Sequence, residues 1–382
     1  MNLYLSDKFR ILSLLSAILV LYIHSGFHDN EILGMPVNHA TQNVISGWLG
    51  SLAVPLFFML SGFLFFLKMP YGMKSILQKM RKRVRTVLIP YLIGCSFCAL
   101  FFIATAALPF TSRFMNGELS FLSLPLPDLI WKTFIHPPLA FQLWFLQHLI
   151  AIVALAPLLY VALTKMGWAF AILSFAASTV DPTTHNIMAS FFWFSIGGLT
   201  ALSPSRDKII SRQFDNSTIR QFDNSTIRQF DNSTIRQFDN STITFIHRNV
   251  LIVSFAIFVI SRLLSGYIEI QWLSRAVRIL SVFSGIVSVW LIYDNIVGAD
   301  FKLSNRPLLS AACGYSFFIY LFHVPTLNIP RKIIVAILGK TSFGYLTSYL
   351  LSPFIFAAVA IIIGVLLRRY ANKLFCIMTG GR

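Results

Sequence analysis

The segment ILSLLSAILVLYIHSGF, residues 11–27, decides the fold class of this chain. It approaches the ~20 apolar residues that an α-helix needs to cross a bilayer. His24 lies near its C-terminal end, and burying a polar or ionisable group in hydrocarbon is costly unless a bundle interior or a water-filled cavity receives it. His24 is therefore a candidate functional residue. The alternative is that it faces lipid headgroups at the end of the span.

The composition excludes an ordinary soluble domain. Of 382 residues, 56% are hydrophobic and only 12% are charged, whereas soluble domains carry about 25% charged residues. No small-residue cleavage site follows residues 11–27, which predicts a retained helix rather than a signal peptide. We expect an all-α integral membrane protein.

Further apolar runs predict a bundle of about ten transmembrane helices. Six lie in residues 1–203 and four in residues 250–382, all within one domain. The fifth and sixth are short and are joined by a tight connection. The predicted spans are Ile11–Phe27, Ile45–Leu67, Val87–Leu108, Leu143–Val161, Trp168–Val180, Ile187–Leu202, Val250–Tyr267, Ile279–Ile296, Leu308–Leu327 and Gly344–Leu367.

The basic residues predict the orientation of this bundle. Most of the 31 Lys and Arg residues, Lys8 among them, fall on one side if both termini are cytoplasmic, as the positive-inside rule expects. Arg331, Lys332 and Lys340 fall on the other side. The net charge of +17 is then explained by topology and by contact with the anionic lipid bilayer. It predicts no nucleic-acid partner.

The octapeptide RQFDNSTI occurs four times in succession between Arg212 and Ile243. A period of eight fits neither an α-helix nor the longer units of solenoid proteins. Because each copy holds few apolar residues, residues 204–249 are predicted to form a poorly ordered cytoplasmic loop. The alternative is a docking arm for a partner.

Three spans place histidines at a similar depth near the outer side. These are His24, His148 and His323. Helical spacing puts His148 on one face with Trp144 and Gln147, and it puts His323 on one face with Ser316 and Tyr320. The coincidence favours a polar cavity that opens outward. The alternative is that several of these histidines lie in hydrated loops.

A basic cluster, Arg81 to Arg85, precedes the third span. It is either a positive-inside anchor or a phosphate site, since guanidinium groups bind phosphates bidentately. Lys82 and Arg85 are spaced i, i+3 at the start of the helix. Arg10 precedes His24 by about 21 Å of helix, on roughly the same face. This arrangement favours a phosphorylated donor inside and an acceptor outside.

Two further polar patterns are better explained by packing than by chemistry. Cys95 and Cys98 have CxxC spacing, but they lie inside the third span without further ligands. Ser61 is a conceivable nucleophile, yet Ser61-Gly62 is typical of helix contacts in membranes. No metal site is predicted.

Six stretches of the chain carry a recognisable pattern. They are ILVLYIH at 18–24, VPLFFMLSGFL at 54–64, the basic cluster at 81–85 with IPY at 89–91, LWFL at 143–146, FSIGGL at 194–199 and YSFFIYLFH at 315–323. With these stretches the chain resembles the membrane-bound acyltransferase family 3, the O-acyltransferases of bacterial surface polysaccharides and related glycans. The stretches follow one another in the family's order and cover nearly the whole chain apart from the repeat.

The resemblance implies transfer of an acyl group, usually acetyl, from cytoplasmic acyl-CoA to a hydroxyl of a carbohydrate acceptor. The acceptor is a lipid-linked or cell-surface sugar outside the bacterial inner membrane. His24 matches the family's histidine, and Lys82 and Arg85 match its basic pair. The family commonly has an arginine eleven residues before the histidine. Here that position is Ser13, and the nearest arginine is Arg10.

We therefore expect His24 to act as a general base on the acceptor hydroxyl, a role that typically contributes about 10²–10⁴-fold. An acyl-histidine intermediate is the alternative route. His323 and His148 are expected to orient the acceptor. The residues expected to hold acetyl-CoA are Arg10, Arg81, Lys82 and Arg85, and those expected to contact substrate are Trp144, Ser316 and Tyr320.

Two rival functions remain open. One is a transporter or flippase of a polysaccharide precursor whose histidines relay protons, although the spans show neither the paired broken helices nor the repeat of whole helices that many secondary transporters use. The other is a non-catalytic sensor or scaffold in which the repeat loop is the operative element. The sequence does not indicate an oligomeric state.

Overall fold

The computed structural model describes residues 3–67, 73–107, 124–135, 139–180, 186–203, 232–297 and 301–381. All regular structure within these residues is helical, as the apolar runs predict. Several helices are long and apolar enough to cross a bilayer. The chain is therefore an all-α, multi-pass membrane protein.

The first three predicted spans correspond to long helical stretches. The second and third each contain a π-helical turn, so neither is a regular α-helix throughout. The elements are α1 (Leu3–Ser25), α2 (Pro36–Gln42), a π turn (Asn43–Leu49), a 3₁₀ turn (Gly50–Leu52), α3 (Ala53–Phe66), α4 (Met73–Arg83), a second π turn (Val84–Leu88) and α5 (Ile89–Ala107).

The remaining described elements are also helical. They are α6 (Leu126–Phe134), a 3₁₀ turn (Phe141–Leu143), α7 (Trp144–Ala154), α8 (Ala156–Lys165), α9 (Trp168–Val180), α10 (Ile187–Leu202), α11 (Asn232–Ser265), α12 (Gln271–Ile296), a 3₁₀ turn (Leu303–Asn305), α13 (Pro307–Thr326), α14 (Asn328–Leu338), α15 (Ser342–Tyr370) and α16 (Asn372–Thr379).

The expected count of ten membrane-crossing helices stays a prediction, because not every predicted span is a long, straight helix. Among the described residues, 7 helical stretches are long and apolar enough to cross a bilayer, or 8 if α7 and α8 count as one span. The predicted fourth span is not straight, because α7 and α8 meet at an angle of 70°. Pro157 explains the break, since proline lacks an N–H and clashes with the preceding turn. The fifth and sixth spans are the shorter helices α9 and α10.

The seventh helix starts earlier than the sequence indicates. Helix α11 begins at Asn232, within the segment expected to be a loop. Extending an existing helix adds one hydrogen bond for each residue fixed, which favours continuation beyond an apolar span. Residues 212–231, which hold the first two copies of the repeat and the first half of the third, lie outside the described residues.

Helix α1 packs against α3, α13 and α15, so the segment that decides the fold is also central to the bundle. Helices α3 and α10 approach each other through glycines. A Cβ atom on Gly62 would overlap the carbonyl oxygen of Phe194, and one on Gly197 would overlap that of Met59. Small residues allow membrane helices to approach this closely. Gly62 is thus a packing residue, as predicted.

Lys8 is not at the aqueous surface where the orientation argument places it. Its ammonium group lies 2.8 Å from Asp294 of α12 and 3.5 Å from the centre of the Trp290 ring. The side chain is 1% exposed. A carboxylate and an aromatic face allow its charge to be buried, so Lys8 contributes to helix packing, and the orientation of the bundle stays a prediction.

Candidate functional site

A cavity of about 550 Å³ lies along the N-terminal half of α1. Phe57, Phe145 and Phe317 form part of its apolar wall. Its cationic and hydroxyl groups come from eight residues on five helices, namely Ser6, Arg10, Ser13, Ser61, Arg83, Ser316, Tyr320 and Arg368. Such a lining suits a ligand with an anionic end and an apolar or amphipathic remainder.

Arg10 reaches this cavity although it is one turn from the position where the family commonly has arginine. Its Nη2 donates to the carbonyl oxygen of Ser310 at 3.0 Å and lies 3.2 Å from the Ser310 hydroxyl. Its other terminal nitrogen is 4.0 Å from Asp7. Ser13 lines the same cavity. Both positions therefore face the same space, and the binding role of Arg10 stays a prediction.

The basic cluster contributes a different residue from those expected. Arg83 lines the cavity, whereas Arg81, Lys82 and Arg85 are exposed and are not part of the described lining. Helix α4 ends at Arg83 and a π turn follows. Lys82 lies in α4 and Arg85 in the π turn, whose hydrogen bonds run from i to i+5, so α-helical i, i+3 spacing does not apply between them. Sequence spacing could not single out Arg83.

Tyr320 lies between the cavity and the histidines. Its ring lines the cavity, and its hydroxyl donates to the backbone carbonyl of Gln142 at 3.1 Å. The Tyr320 carbonyl is 2.6 Å from Nδ1 of His323. A carbonyl can only accept, so this bond places a proton on Nδ1 and leaves Nε2 of the neutral ring as the basic nitrogen. His323 is fully buried.

His24 and His323 form a pair. Their ring centres are 4.9 Å apart, and the His24 ring also meets the Phe141 ring edge-on at 5.5 Å. His24 is half-buried. Along α1, both Arg10 and His24 thus contact α13, which confirms that they share a face.

Helix α13 is kinked immediately after His323. Val324 has φ −109° and ψ 134°, outside the helical region, because Pro325 disfavours the α conformation of the residue before it. The kink leaves the Val324 carbonyl to accept a hydrogen bond from the Gln142 side-chain amide at 3.0 Å. Gln142 therefore contacts α13 on both sides of His323.

His148 has a partner on another helix. Its Nδ1 is 2.9 Å from the Ser190 hydroxyl of α10, and its ring meets the Trp144 ring at 5.3 Å. Trp144 and His148 therefore lie on one face of α7, as their spacing predicts. The structure brings His24 and His323 into direct contact, while His148 is held against α10.

The cysteine pair shows no features of a metal site. Cys95 and Cys98 are free and buried in α5, and the Cys98 sulfur is 3.8 Å from the Leu139 carbonyl. Among the described residues, no three His, Cys, Asp or Glu side chains are grouped so as to hold a metal ion.

The comparisons with known proteins give one match. A family model described as an acyltransferase domain, that of acyltransferase family 3, matches residues 10–369. No curated protein and no solved structure matches the chain.

Proposed function

Because the chain belongs to acyltransferase family 3, we propose that it is a membrane O-acyltransferase of the bacterial inner membrane. It moves an acyl group, usually acetyl, from cytoplasmic acyl-CoA to a hydroxyl of a lipid-linked or cell-surface sugar. One observation carries the proposal: an arginine-lined cavity leads to Tyr320, Tyr320 contacts His323, and His323 contacts His24. The family match gives no support to the flippase alternative.

The cavity supports acyl-CoA as the donor. Arg10, Arg83 and Arg368 offer cations for its phosphates, and the aromatic walls suit its long pantetheine arm. The volume of about 550 Å³ falls within the about 300–1,000 Å³ typical of small-molecule sites. Ser316 and Tyr320, expected to contact substrate, would contact the donor here. Arg81, Lys82 and Arg85, exposed beside the cavity, would raise the local concentration of the anionic donor.

The histidine pair supports base-assisted transfer. The acceptor oxygen attacks the thioester carbonyl carbon, a C–O bond forms, the C–S bond breaks, and the CoA thiolate leaves and takes up a proton. His24 removes the hydroxyl proton of the acceptor. His323, held in one tautomer by the Tyr320 carbonyl, is the positioning residue for the His24 ring. His148 and Trp144 are the remaining residues proposed to contact the acceptor.

The direct test uses purified protein in lipid nanodiscs with radiolabelled acetyl-CoA and a panel of methyl glycosides. Replacing His24 by alanine removes the proposed base, so we expect label transfer to fall by about 10²–10⁴-fold. His39→Ala is the matched control, since His39 belongs to α2 and its side chain is 40% exposed. Wild-type transfer rates in His24→Ala would overturn the role of His24, and no acetyl transfer by the wild-type protein would contradict the proposed function.

A further inference from the structure

The segment from His24 to Phe27, which includes the last two residues of α1, is surrounded by polar atoms that the proposed chemistry leaves unused. This region, called the His24 turn below, is met by the end of α2, the 3₁₀ turn at Phe141, the kink of α13 and the start of α14. Around it lie four buried polar atoms that have no hydrogen-bond partner among the described residues. They are Nε2 of Gln42, Oε1 of Gln142, Nε2 of His323 and Nε of Arg331.

Two of these atoms are acceptors on the His323 side. The Gln142 amide nitrogen donates to the Val324 carbonyl, which fixes the orientation of the amide and leaves Oε1 open. Nδ1 of His323 is used by the Tyr320 carbonyl, which leaves Nε2 open as a lone pair. A buried acceptor without a donor is costly, so both atoms favour a ligand that carries hydroxyl protons.

The other two atoms are donors on the Phe27 side. Oε1 of Gln42 accepts from the Phe27 backbone N–H at 2.8 Å, which leaves the Gln42 amide nitrogen open. The Arg331 guanidinium lies 4.3 Å from the centre of the Phe27 ring and donates from Nη1 to Asn328 at 3.0 Å, which leaves Nε open. Burial lowers the pKa of Arg331, and the charge of Glu31 opposes that shift.

Aromatic rings adjoin the same groups. Phe141 precedes Gln142, contacts the His24 ring and is 52% exposed. Phe27 lies under Arg331 and packs against Tyr345 at 4.7 Å. An apolar ring beside paired donors and acceptors suits a ligand that has both an apolar face and a ring of hydroxyls.

We propose that the His24 turn is the acceptor subsite and that Gln142, Gln42 and Arg331 position a polyhydroxylated ring there. The inference rests on the proposed function and deepens it, because it assigns acceptor-binding residues apart from the cavity lined by Ser316 and Tyr320. A sugar hydroxyl both donates and accepts, so neighbouring hydroxyls satisfy acceptors and donors together. A ring with one hydroxyl leaves most of these atoms unsatisfied, and a site built to bind hydroxyls rejects such a compound strongly.

The test compares two probe acceptors, methyl glycosides and cyclohexanol, with radiolabelled acetyl-CoA and protein in nanodiscs. For the wild type we expect a large preference for at least one glycoside. In Gln142→Leu and in Arg331→Lys, which keeps the charge but lacks Nε, we expect that preference to fall about tenfold, with KM for acetyl-CoA unchanged. The control variants are Gln78→Leu and Lys332→Gln. A merely structural role would lower both acceptor rates together and leave the preference intact, which would overturn the proposal.

A second measurement separates failure of the subsite from failure of the proposed function. Phe141→Trp places a fluorophore beside His24, and its emission is compared with that of the wild type during titration with the same methyl glycosides. Saturable binding that weakens in the Gln142→Leu background supports the subsite even if no acetyl transfer occurs. Acetyl transfer without any such preference or fluorescence change supports the enzyme and overturns the subsite.

Discussion

At the scale of single residues, individual contacts determine which groups are available for chemistry. The Tyr320 carbonyl fixes the tautomer of His323, and His323 contacts His24. The sequence predicts neither of these two contacts, although Tyr320 and His323 are only three residues apart. The available basic nitrogen is therefore set by a backbone carbonyl one turn earlier in α13.

The cavity lining distinguishes Arg83 from its basic neighbours, and this leads to a prediction. Replacing Arg83 by glutamine removes a cation from the donor cavity, and hydrogen bonds to charged groups contribute about 1.5–3 kcal/mol. We expect KM for acetyl-CoA to rise by tenfold or more, with KM for the acceptor unchanged. Initial-rate kinetics with varied acetyl-CoA measure this effect.

Lys74→Gln is the control for that measurement, because Lys74 is an exposed cation on the same helix, α4. An equal rise in KM for both variants would mean that Arg83 acts only through general surface charge. An unchanged KM in Arg83→Gln would remove it from the donor site.

At the scale of helices, α1 is held at both ends by different kinds of contact. Near its N-terminus, Lys8 pairs with Asp294 of α12, and the Tyr4 hydroxyl donates to the same carboxylate at 2.5 Å. Near its C-terminus, the hydroxyl of Tyr22 donates to the Leu350 carbonyl of α15 at 3.1 Å. Arg10 lies between these two sets of contacts, and His24 follows Tyr22 by two residues. The position of α1 therefore sets the geometry of the cavity at Arg10 and of the histidine pair at His24.

The buried ion pair gives a prediction at this scale. Asp294→Asn leaves the Lys8 ammonium group buried without a counter-charge, a change that typically costs about 3–5 kcal/mol. We expect a clear loss of thermal stability in detergent or nanodiscs. Asp128→Asn is the control, because Asp128 is exposed at the start of α6.

The double variant Lys8→Met with Asp294→Leu removes both charges together. We expect it to regain much of the stability lost in Asp294→Asn, because apolar pairs can replace a buried ion pair at little cost. If Asp294→Asn is as stable as the wild type, the pair does not hold α1 in place.

At the scale of the whole molecule, the arginine-lined cavity and the His24 turn lie at opposite ends of α1. Arg10 and His24 are separated by about 21 Å of helix, and both face α13. This separation suits a reaction whose two substrates approach from opposite sides of a membrane. The proposed orientation, with both termini cytoplasmic, places the cavity on the cytoplasmic side.

That orientation is testable with a native cysteine. Cys376 in α16 is exposed, whereas Cys95, Cys98 and Cys313 are buried. We expect a membrane-impermeant maleimide to label Cys376 in inside-out vesicles and not in right-side-out vesicles, with Cys376→Ser as the control. The reverse pattern would invert the topology and place the cavity on the side away from cytoplasmic acyl-CoA.

The sequence by itself determined the features that depend on local composition. The apolar runs identified a helical membrane protein, and the stretches around His24, Gly62 and His323 identified the acyltransferase family, because hydrophobicity and short motifs need no long-range information. The close packing at Gly62 also followed from its neighbours in the chain.

Only the tertiary structure decided which side chains meet. Arg83 lines the cavity while Lys82 and Arg85 are exposed, Pro157 bends the fourth span, and Asp294, far along the chain, pairs with the buried Lys8. The His24 ring contacts the His323 ring, whereas His148 is hydrogen-bonded to Ser190. These outcomes depend on helix register and on partners distant in sequence, and α-helical spacing alone carries no information about either.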